Sequence, residues 1–222
     1  MEKVWLKSGF LLVTALSIIC TVGCENQAKT NNILESGMEI FQSPSADWKM
    51  VNNELVLPVK NSKENRTNLW LKDTYGDFVM ELDFKINKGT NSGIFFRTSD
   101  TTDPVQTGIE VQVRDDFGKL PMDKHFCGSV YEIYQATENR VKAPGQWNSL
   151  KITCKGNNIE VILNSGKVVD INLEDWKEVG KNPDGSENKF KKAYKDMAKK
   201  GFIGFQDHGG EVWYRNITIQ NL

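Results

Sequence analysis

Apolar and polar side chains alternate along much of the chain after residue 48, and this two-residue period is typical of half-buried β-strands. The clearest run is residues 77–86, in which the apolar side chains share one face: Phe78, Met80, Leu82, Phe84 and Ile86. The intervening polar residues Glu81, Asp83 and Lys85 are expected on the opposite, solvated face. The pattern therefore predicts a strand that buries one side.

Similar runs recur at short intervals along the chain. Predicted strands cover residues 54–57, 69–71, 77–86, 93–98, 108–114, 128–134, 147–155, 158–163, 167–172, 202–206 and 212–220. Gly156-Asn157 and Ser165-Gly166 supply tight-turn chemistry between three of them. Short strands at this spacing favour an all-β protein, either a sandwich or a barrel.

One late segment departs from the strand pattern. Residues 178–200 are rich in lysine, and Phe190, Tyr194 and Met197 recur at helical spacing. This spacing predicts a short helix over residues 187–198, with the lysines on its solvated face. The alternative is that the segment closes over a substrate.

The first 24 residues have the features of an export signal. Lys3 and Lys7 precede an apolar stretch at residues 10–19, which is too short to span a membrane. Thr21-Val22-Gly23-Cys24 then resembles a bacterial lipobox, which predicts lipidation at Cys24. Residues 25–37 are expected to be a flexible tether and residues 38–222 the folded domain, held by the lipid anchor in the bacterial cell envelope. Non-lipidated secretion and a plain transmembrane anchor are the alternatives.

Charge and cysteine content narrow the function classes. A formal net charge of -1 gives no reason to expect a nucleic acid as partner. Cys20 belongs to the signal and Cys24 to the anchor, so Cys127 and Cys154 remain in the domain. In an exported domain these two could form a disulfide, or they could be buried free thiols.

Polar side chains follow or interrupt three of the predicted strands. Glu110, Gln112 and Arg114 share one face of a strand whose other face carries Ile109, Val111 and Val113. A strand that is apolar on one side and carries carboxylate, amide and guanidinium groups on the other is suited to a polar groove. Sugars need such donors and acceptors at fixed positions, so the pattern favours a carbohydrate ligand.

Four separated motifs resemble one known family. They are N-S-G-I-F-x-R at residues 91–97, G-x-E-V-Q-V at 108–113, P-G-x-W-N at 144–148 and G-x-I-G-x-Q-D-H-G at 201–209. Their order and spacing are similar to those of the 3-keto-disaccharide hydrolase family, over residues 38–222. The resemblance implies a concanavalin-like jelly-roll β-sandwich with its site on the concave sheet. It also implies cleavage of 3-keto-glycosides and, upstream, a sugar 3-dehydrogenase that oxidises the substrate.

Six residues are candidates for roles in the reaction that the resemblance implies. His208 or Glu110 is expected to be the catalytic base, because imidazole and carboxylate both accept protons. Substrate binding is expected from Arg97, Gln112, Gln206 and Asp115, although Asp115 could equally be a turn residue. Same-face spacing on three strands predicts that Arg97, Glu110, Gln112, Gln206 and His208 converge on one surface.

Other interpretations stay open. Glu110-x-Gln112-x-x-Asp115 resembles the paired-carboxylate strand of a standard glycosidase, although the middle position is an amide. A non-catalytic carbohydrate-binding module is a third class. Glu110, His208 and nearby aspartates could hold a divalent metal, but nothing in their spacing requires one. His125 is a second, weaker candidate for a site histidine, and Trp147 is either a core residue or a sugar-stacking one.

Overall fold

The computed structural model describes residues 1–2, 31–42, 47–59 and 66–222. In these ranges the strands are β1 (Phe41–Gln42), β2 (Lys49–Val51), β3 (Glu54–Leu57), β4 (Leu69–Tyr75), β5 (Phe78–Ile86), β6 (Asn91–Thr98), β7 (Ile109–Arg114), β8 (Trp147–Lys155), β9 (Asn158–Leu163), β10 (Gly166–Asn172), β11 (Gly201–Phe205) and β12 (Val212–Asn221). Residues 3–24 of the predicted signal peptide, which include Cys24, lie outside the described residues, so lipidation stays a prediction. No helix in the described part of the chain is long and apolar enough to cross a membrane.

The described strands form two antiparallel sheets, which confirms the predicted all-β jelly-roll sandwich. One sheet has five strands in the order β1-β4-β11-β6-β7, and the other has seven in the order β10-β9-β8-β5-β12-β3-β2. The core lies between them and contains the predicted face of β5: Phe78, Met80, Leu82, Phe84 and Ile86. A hydrogen bond of 2.9 Å between Ser92 Oγ in β6 and Tyr214 Oη in β12 links the two sheets through this core.

The predicted helix over residues 187–198 does not form. The segment contains a single 3₁₀ turn, Tyr194–Asp196, and the one α-helix of the described residues is α1, Pro104–Thr107. The Gln106 side chain explains the difference, because it bonds the Lys189 carbonyl at 3.2 Å and the Lys191 amide at 3.0 Å. These bonds take the place of helical ones, while Phe190, Tyr194 and Met197 are still buried.

The predicted strand over residues 128–134 is also wrong. This stretch is a turn that touches β7 through an isolated bridge between Val111 and Val130. Extended backbone is interrupted by positive φ angles, +85° at Gly128 and +68° at Glu132. The turn nevertheless follows the edge of β7, because the Tyr131 amide donates to the Glu110 carbonyl at 3.0 Å.

Packing of the chain begins earlier than predicted. A 3₁₀ helix at Ile33–Ile40 buries Leu34, so the structured domain starts before residue 38 and the end of the expected tether is ordered. Leu34 is an apolar side chain within a polar stretch, and its burial explains why this part of the chain packs against the domain. Cys127 and Cys154 are both buried free thiols.

Trp147 is not a core residue, which corrects one of the two roles expected for it. It is half-buried on the face of β8 that points away from the other sheet. The Arg215 guanidinium lies 3.9 Å from its ring centroid and the Lys85 ammonium 4.8 Å. These cations cover the ring through cation–π contacts.

Candidate active site

The candidate site lies on the face of the five-stranded sheet that points away from the core. In β7 the side chains of Ile109, Val111 and Val113 enter the core, so Glu110 and Gln112 project from the opposite face. Glu110 is 5% exposed and Gln112 is 2% exposed. The sequence alternation therefore predicted the direction of these two side chains, but not that both would be buried.

Gly93 makes room for the Glu110 carboxyl group. Gly93 pairs with Gln112 across β6 and β7, and a Cβ atom built on it would lie 2.1 Å from Glu110 Oε1. The carboxyl group thus lies over the bare backbone of β6. Since a side chain at position 93 would occupy the same space, the glycine fixes where the carboxyl group can be.

Burial dominates the electrostatics of Glu110. Removal of the carboxyl group from water raises its pKa from 4.5 to about 8, while the positive charge of Lys189 and a hydrogen bond from the Gln206 side chain act in the opposite direction. At neutral pH most molecules therefore carry a protonated Glu110. A carboxyl group with a pKa near the working pH is suited to accept and return a proton.

Two buried amide oxygens lie beside this carboxyl group. Gln112 Nε2 donates to the Asn91 side chain and, at 3.3 Å, to the Ser92 carbonyl. Within the described residues, Gln112 Oε1 and Gln206 Oε1 are buried and have no hydrogen-bond partner. A buried acceptor without a donor costs about 1–3 kcal/mol, so both oxygens are suited to receive hydroxyl groups from a ligand. We call Glu110, Gln112 and Gln206 the β7 cluster.

An aromatic pair lies on the same face as the β7 cluster. The rings of Trp70 in β4 and Phe95 in β6 are 5.8 Å apart, with an interplanar angle of 30°. The Trp70 ring lies across Gly204, where a Cβ atom would come within 2.3 Å of it. Sequence reasoning missed Trp70 as a site residue, although its position between the core residues Leu69 and Leu71 placed it on the outward face.

A second polar group borders the β7 cluster, and of its members the sequence analysis named only His125. Lys189 Nζ donates to Tyr131 Oη at 2.7 Å and lies 3.5 Å from Glu132 Oε1. Glu132 Oε1 is in turn 3.0 Å from His125 Nε2, and the His125 and Tyr131 rings are 4.9 Å apart. Tyr131 and Glu132 come from a turn that was predicted as a strand, and Lys189 comes from a segment that was predicted as a helix, so their meeting had no signal in the sequence. We call Tyr131, Glu132, Lys189 and His125 the Lys189 group.

Arg97 does not join the site, which corrects the expected convergence. Its side chain is fully buried, and its guanidinium donates to the Gly76 carbonyl at 2.9 Å, the Gly156 carbonyl at 2.7 Å and Asp77 Oδ1 at 2.8 Å. The cause is a register shift between β6 and β11, with a φ of +51° at Arg97 that breaks the alternation. The guanidinium holds two turns together and has a structural role.

His208 and Asp115 contact residues outside the β7 cluster. His208 follows β11, is exposed, and has its Nδ1 atom 3.4 Å from Arg66 Nη1 in a hollow of about 470 Å³. Asp115 Oδ2 accepts the Gly89 amide at 2.8 Å, and the Asp115 amide donates to the Thr90 carbonyl. These bonds give Asp115 the turn role that the sequence left open. Among the described residues, no three His, Cys, Asp or Glu side chains are grouped as metal ligands.

Comparison with known sequences identifies the family. The profile of the 3-keto-alpha-glucoside-1,2-lyase-like domain matches residues 30–220. The chain belongs to this family. The match begins ahead of residue 38, in agreement with the early packing of Leu34.

Relatives of this 3-keto-alpha-glucoside-1,2-lyase-like domain agree in fold. A 3-keto-disaccharide hydrolase from Bacteroides thetaiotaomicron is 28% identical over 172 residues, which are 67% of this chain and 59% of that protein. A Parabacteroides distasonis protein, provisionally described as a glycosyl hydrolase, superposes with a TM-score of 0.75 and 34% identity over 83% of this chain and 94% of its own. A Bacillus subtilis protein with a galectin-like fold has a TM-score of 0.52 at 13% identity, over 77% of this chain and 83% of its own, and shows the sandwich architecture alone.

Proposed function

We propose that this family member cleaves 3-keto-glycosides at the β7 cluster, with Glu110 as the base that removes the C2 proton. The observation that carries the proposal is the buried Glu110 carboxyl group, whose pKa is about 8, beside two buried amide oxygens without donors. Membership of the 3-keto-alpha-glucoside-1,2-lyase-like family supports the substrate class. The buried Trp70–Phe95 pair packs on the same face of the sheet as these polar groups.

The chemistry needs one base and a few fixed hydrogen bonds. A C3 ketone acidifies the C2 proton, which passes to the Glu110 carboxylate while the C2–H electrons form the enolate. The enolate then restores the C3 carbonyl, forms a C1–C2 double bond and expels the C1 substituent with its bonding electrons. The expelled substituent takes up the proton that Glu110 accepted, water adds its hydroxyl group to C1 and its proton to C2, and the net reaction is hydrolysis. Gln112 and Gln206 would hold sugar hydroxyl groups through their side-chain oxygens.

The raised pKa of Glu110 suits this step. A base with a pKa of about 8 holds a proton more strongly than an ordinary carboxylate, and a positioned base contributes roughly 10²–10⁴-fold to rate. The ionised form carries the reaction, so kcat/KM should rise with pH and level off above about 8. His208 is the second candidate for the base, although it is exposed and lines the hollow that also contains Arg66 and Glu211.

The paired-carboxylate alternative is disfavoured by distance. Glu110 and Asp115 are five positions apart along β7 and its extension, which separates their Cα atoms by roughly 17 Å in extended chain. Paired carboxylates in standard glycosidases are about 5–9.5 Å apart. A carbohydrate-binding module would bind a sugar at the same cluster without cleaving it. A measurement of turnover therefore distinguishes the enzyme from the binding module.

The test compares a 3-keto-glucoside with its unoxidised parent glucoside. We expect turnover of the 3-keto sugar alone, with exchange of its C2 proton for solvent deuterium. Glu110→Gln should lower kcat/KM by at least about 10²-fold, and Glu81→Gln, on the other sheet, should not. Hydrolysis of the parent glucoside would indicate a standard glycosidase, and binding without turnover a binding module. If only His208→Ala abolishes exchange, the base is His208.

The proposed substrate implies a partner reaction. A 3-keto sugar arises by oxidation of a C3 hydroxyl group, so a sugar dehydrogenase acting at C3 must precede this protein. We place both steps in the cell envelope, on the basis of the lipobox-like Thr21-Val22-Gly23-Cys24.

A further inference from the structure

A hollow lies at one end of the five-stranded sheet, beyond the start of β6 and the end of β11. It has a volume of about 470 Å³ and is lined by Arg66, by residues 87–90 and by residues 208–211. This volume is within the range of small-molecule sites, which is roughly 300–1,000 Å³. We call it the Arg66 hollow.

The Arg66 hollow follows the β7 cluster along two stretches of chain. Gln206 of the cluster precedes His208, which lines the hollow, by two residues. The Gln112 side chain donates to Asn91, and Asn91 directly follows Thr90 in the hollow. Two residues of chain span at most about 7 Å, so a ligand held at the cluster and longer than one sugar ring can reach the hollow.

Arg66 is a cation without an acid partner in this hollow. Its Nη1 atom lies 3.4 Å from His208 Nδ1, and no carboxylate of the described residues forms an ion pair with it. Its Nε atom is buried and has no hydrogen-bond partner in the described part of the chain. Gly209 makes room for the guanidinium, because a Cβ atom there would lie 2.8 Å from Arg66 Nη2. A donor held in this way is suited to an acceptor supplied by a ligand.

The charges of the hollow favour an anion as that ligand. Lys88 is exposed and adds a second positive charge. Glu211 is the acid among the lining residues, and its carboxylate accepts a hydrogen bond from the Asn87 side chain. A guanidinium group presents parallel N–H donors that match the two oxygens of a carboxylate.

Two further carboxylates near the hollow are bonded to backbone amides. Asp115 accepts from the Gly89 amide, and Asp207 accepts from the amides of Thr67 and Gly209. Both aspartates are buried, and neither lines the hollow. They hold the turns around Arg66 in place, and Arg66 remains available to a ligand.

We propose that the Arg66 hollow binds a carboxylate on the leaving group, so that the protein prefers 3-keto-glycosides whose second sugar is a uronic acid. The inference rests on the proposed function for the position of the 3-keto ring at the β7 cluster. The guanidinium N–H groups of Arg66 donate to the carboxylate oxygens. Because this contact is remote from the C1 and C2 atoms that react, it contributes to substrate affinity and not to the chemical step.

Binding is measured by NMR with unoxidised disaccharides as probes. Protein labelled with ¹⁵N is titrated with glucosyl-glucuronic acid and, separately, with glucosyl-glucose, and Arg66→Lys identifies the Arg66 Nε–H signal. We expect the acidic disaccharide to shift this signal and the neutral one to leave it in place. Arg66→Met should weaken binding of the acidic disaccharide about tenfold. Lys49→Met, which removes an exposed positive charge from the other sheet, is the control and should not.

The binding experiment has two outcomes that would overturn the proposal. An equal shift with inorganic sulfate at the same concentration would indicate an unselective anion site. No shift with the acidic disaccharide would show that the hollow does not bind its carboxylate.

The kinetic readout compares two 3-keto substrates that differ only in the leaving sugar. The kcat/KM for 3-keto-glucosyl-glucuronic acid should exceed that for 3-keto-glucosyl-glucose about tenfold, mostly through KM, and Arg66→Met should abolish this preference. Equal cleavage of both sugars by the wild type would contradict the proposal and leave the proposed function intact. If Arg66 binds the acidic disaccharide but neither 3-keto sugar is cleaved, the binding role stands and the proposed function fails.

Discussion

At the residue scale, the position of one carboxyl group depends on the absence of one side chain. The Glu110 carboxyl group occupies the volume that a Cβ atom on Gly93 would need, with only 2.1 Å between that Cβ and Oε1. Cδ and Cγ of Glu110 would also lie only 2.8 and 2.9 Å from that Cβ, so the outer half of this buried side chain would have to shift. Gly93 therefore determines where the carboxyl group of the proposed base lies. The strand itself does not require a glycine at this position.

Substitution of Gly93 tests this relation. Gly93→Ala should displace the carboxyl group and lower kcat/KM on the order of 10²-fold, because misplacement of a catalytic group by about 1 Å is sufficient for such a loss. The thermal midpoint should fall modestly, since part of the buried Glu110 side chain has to shift. Gly76→Ala, where the nearest atom would be 3.4 Å from the new Cβ, is the control. Full activity in Gly93→Ala would show that the carboxyl group does not act from this position.

The buried carboxyl group also affects stability. The pKa of Glu110 is raised from 4.5 to about 8 on folding, so its protonated form favours the folded state. This contribution is complete below about pH 4.5, decreases as the pH rises and is lost above about 8. The free energy of unfolding should therefore fall by on the order of a few kcal/mol across this window.

Denaturant unfolding at a series of pH values measures the effect. In Glu110→Gln the decline between pH 5 and 8 should be smaller than in the wild type, because the amide does not ionise. Glu81→Gln, at a position where the side chain is 55% exposed, should follow the wild-type profile. Parallel curves for Glu110→Gln and the wild type would contradict a buried, titrating Glu110.

At the scale of elements, a bulge in β6 gives the two parts of this strand different structural roles. Up to Phe95 the strand alternates and presents Gly93 to the site, while after it the register shift turns Arg97 away. The guanidinium then bonds the β4–β5 turn at Gly76 and Asp77 and the β8–β9 turn at Gly156. β6 therefore forms part of the candidate site in the five-stranded sheet, and through Arg97 it also bonds turns that flank strands of the seven-stranded sheet.

Arg97 is therefore expected to affect stability rather than affinity. Arg97→Met leaves two backbone carbonyls without their donor and should lower the free energy of unfolding by on the order of 3 kcal/mol. KM for the 3-keto sugar should stay close to the wild-type value under conditions where the variant is folded. Lys151→Met, which removes an exposed partner of Glu81, should have little effect on stability. A large rise in KM for Arg97→Met, without loss of stability, would restore the substrate-binding role predicted from the sequence.

At the scale of the whole molecule, the two sheets have different surfaces. The outward face of the seven-stranded sheet carries charged side chains and the cation–π contacts of Lys85 and Arg215 with Trp147. The outward face of the five-stranded sheet carries the β7 cluster and the Trp70–Phe95 pair. The late segment contributes Lys189 beside this second face. The polar and aromatic groups of the candidate sugar site therefore lie on one side of the sandwich.

The sequence pattern by itself determined an all-β fold and the direction of the strand residues, and the family resemblance added the jelly-roll sandwich. Strand alternation depends on local backbone geometry, so β5, β8 and β9 began and ended within a residue of their predicted bounds. The same local rule placed Glu110 and Gln112 on one outward face and the core residues on the other. The Gln206 side chain also joined Glu110, as the spacing predicted.

Only the tertiary structure decided where the alternation fails and which distant segments meet. The bulge at Arg97 comes from the pairing of β6 with β11, which no local pattern contains. The 187–198 segment lost its predicted helix because Gln106, far away in the chain, bonds its backbone. Burial of Glu110, and with it the raised pKa, depends on what packs around the carboxyl group after folding. Solvent exclusion is a property of the assembled structure, so the chemistry of the candidate base could not be obtained from its neighbours in sequence.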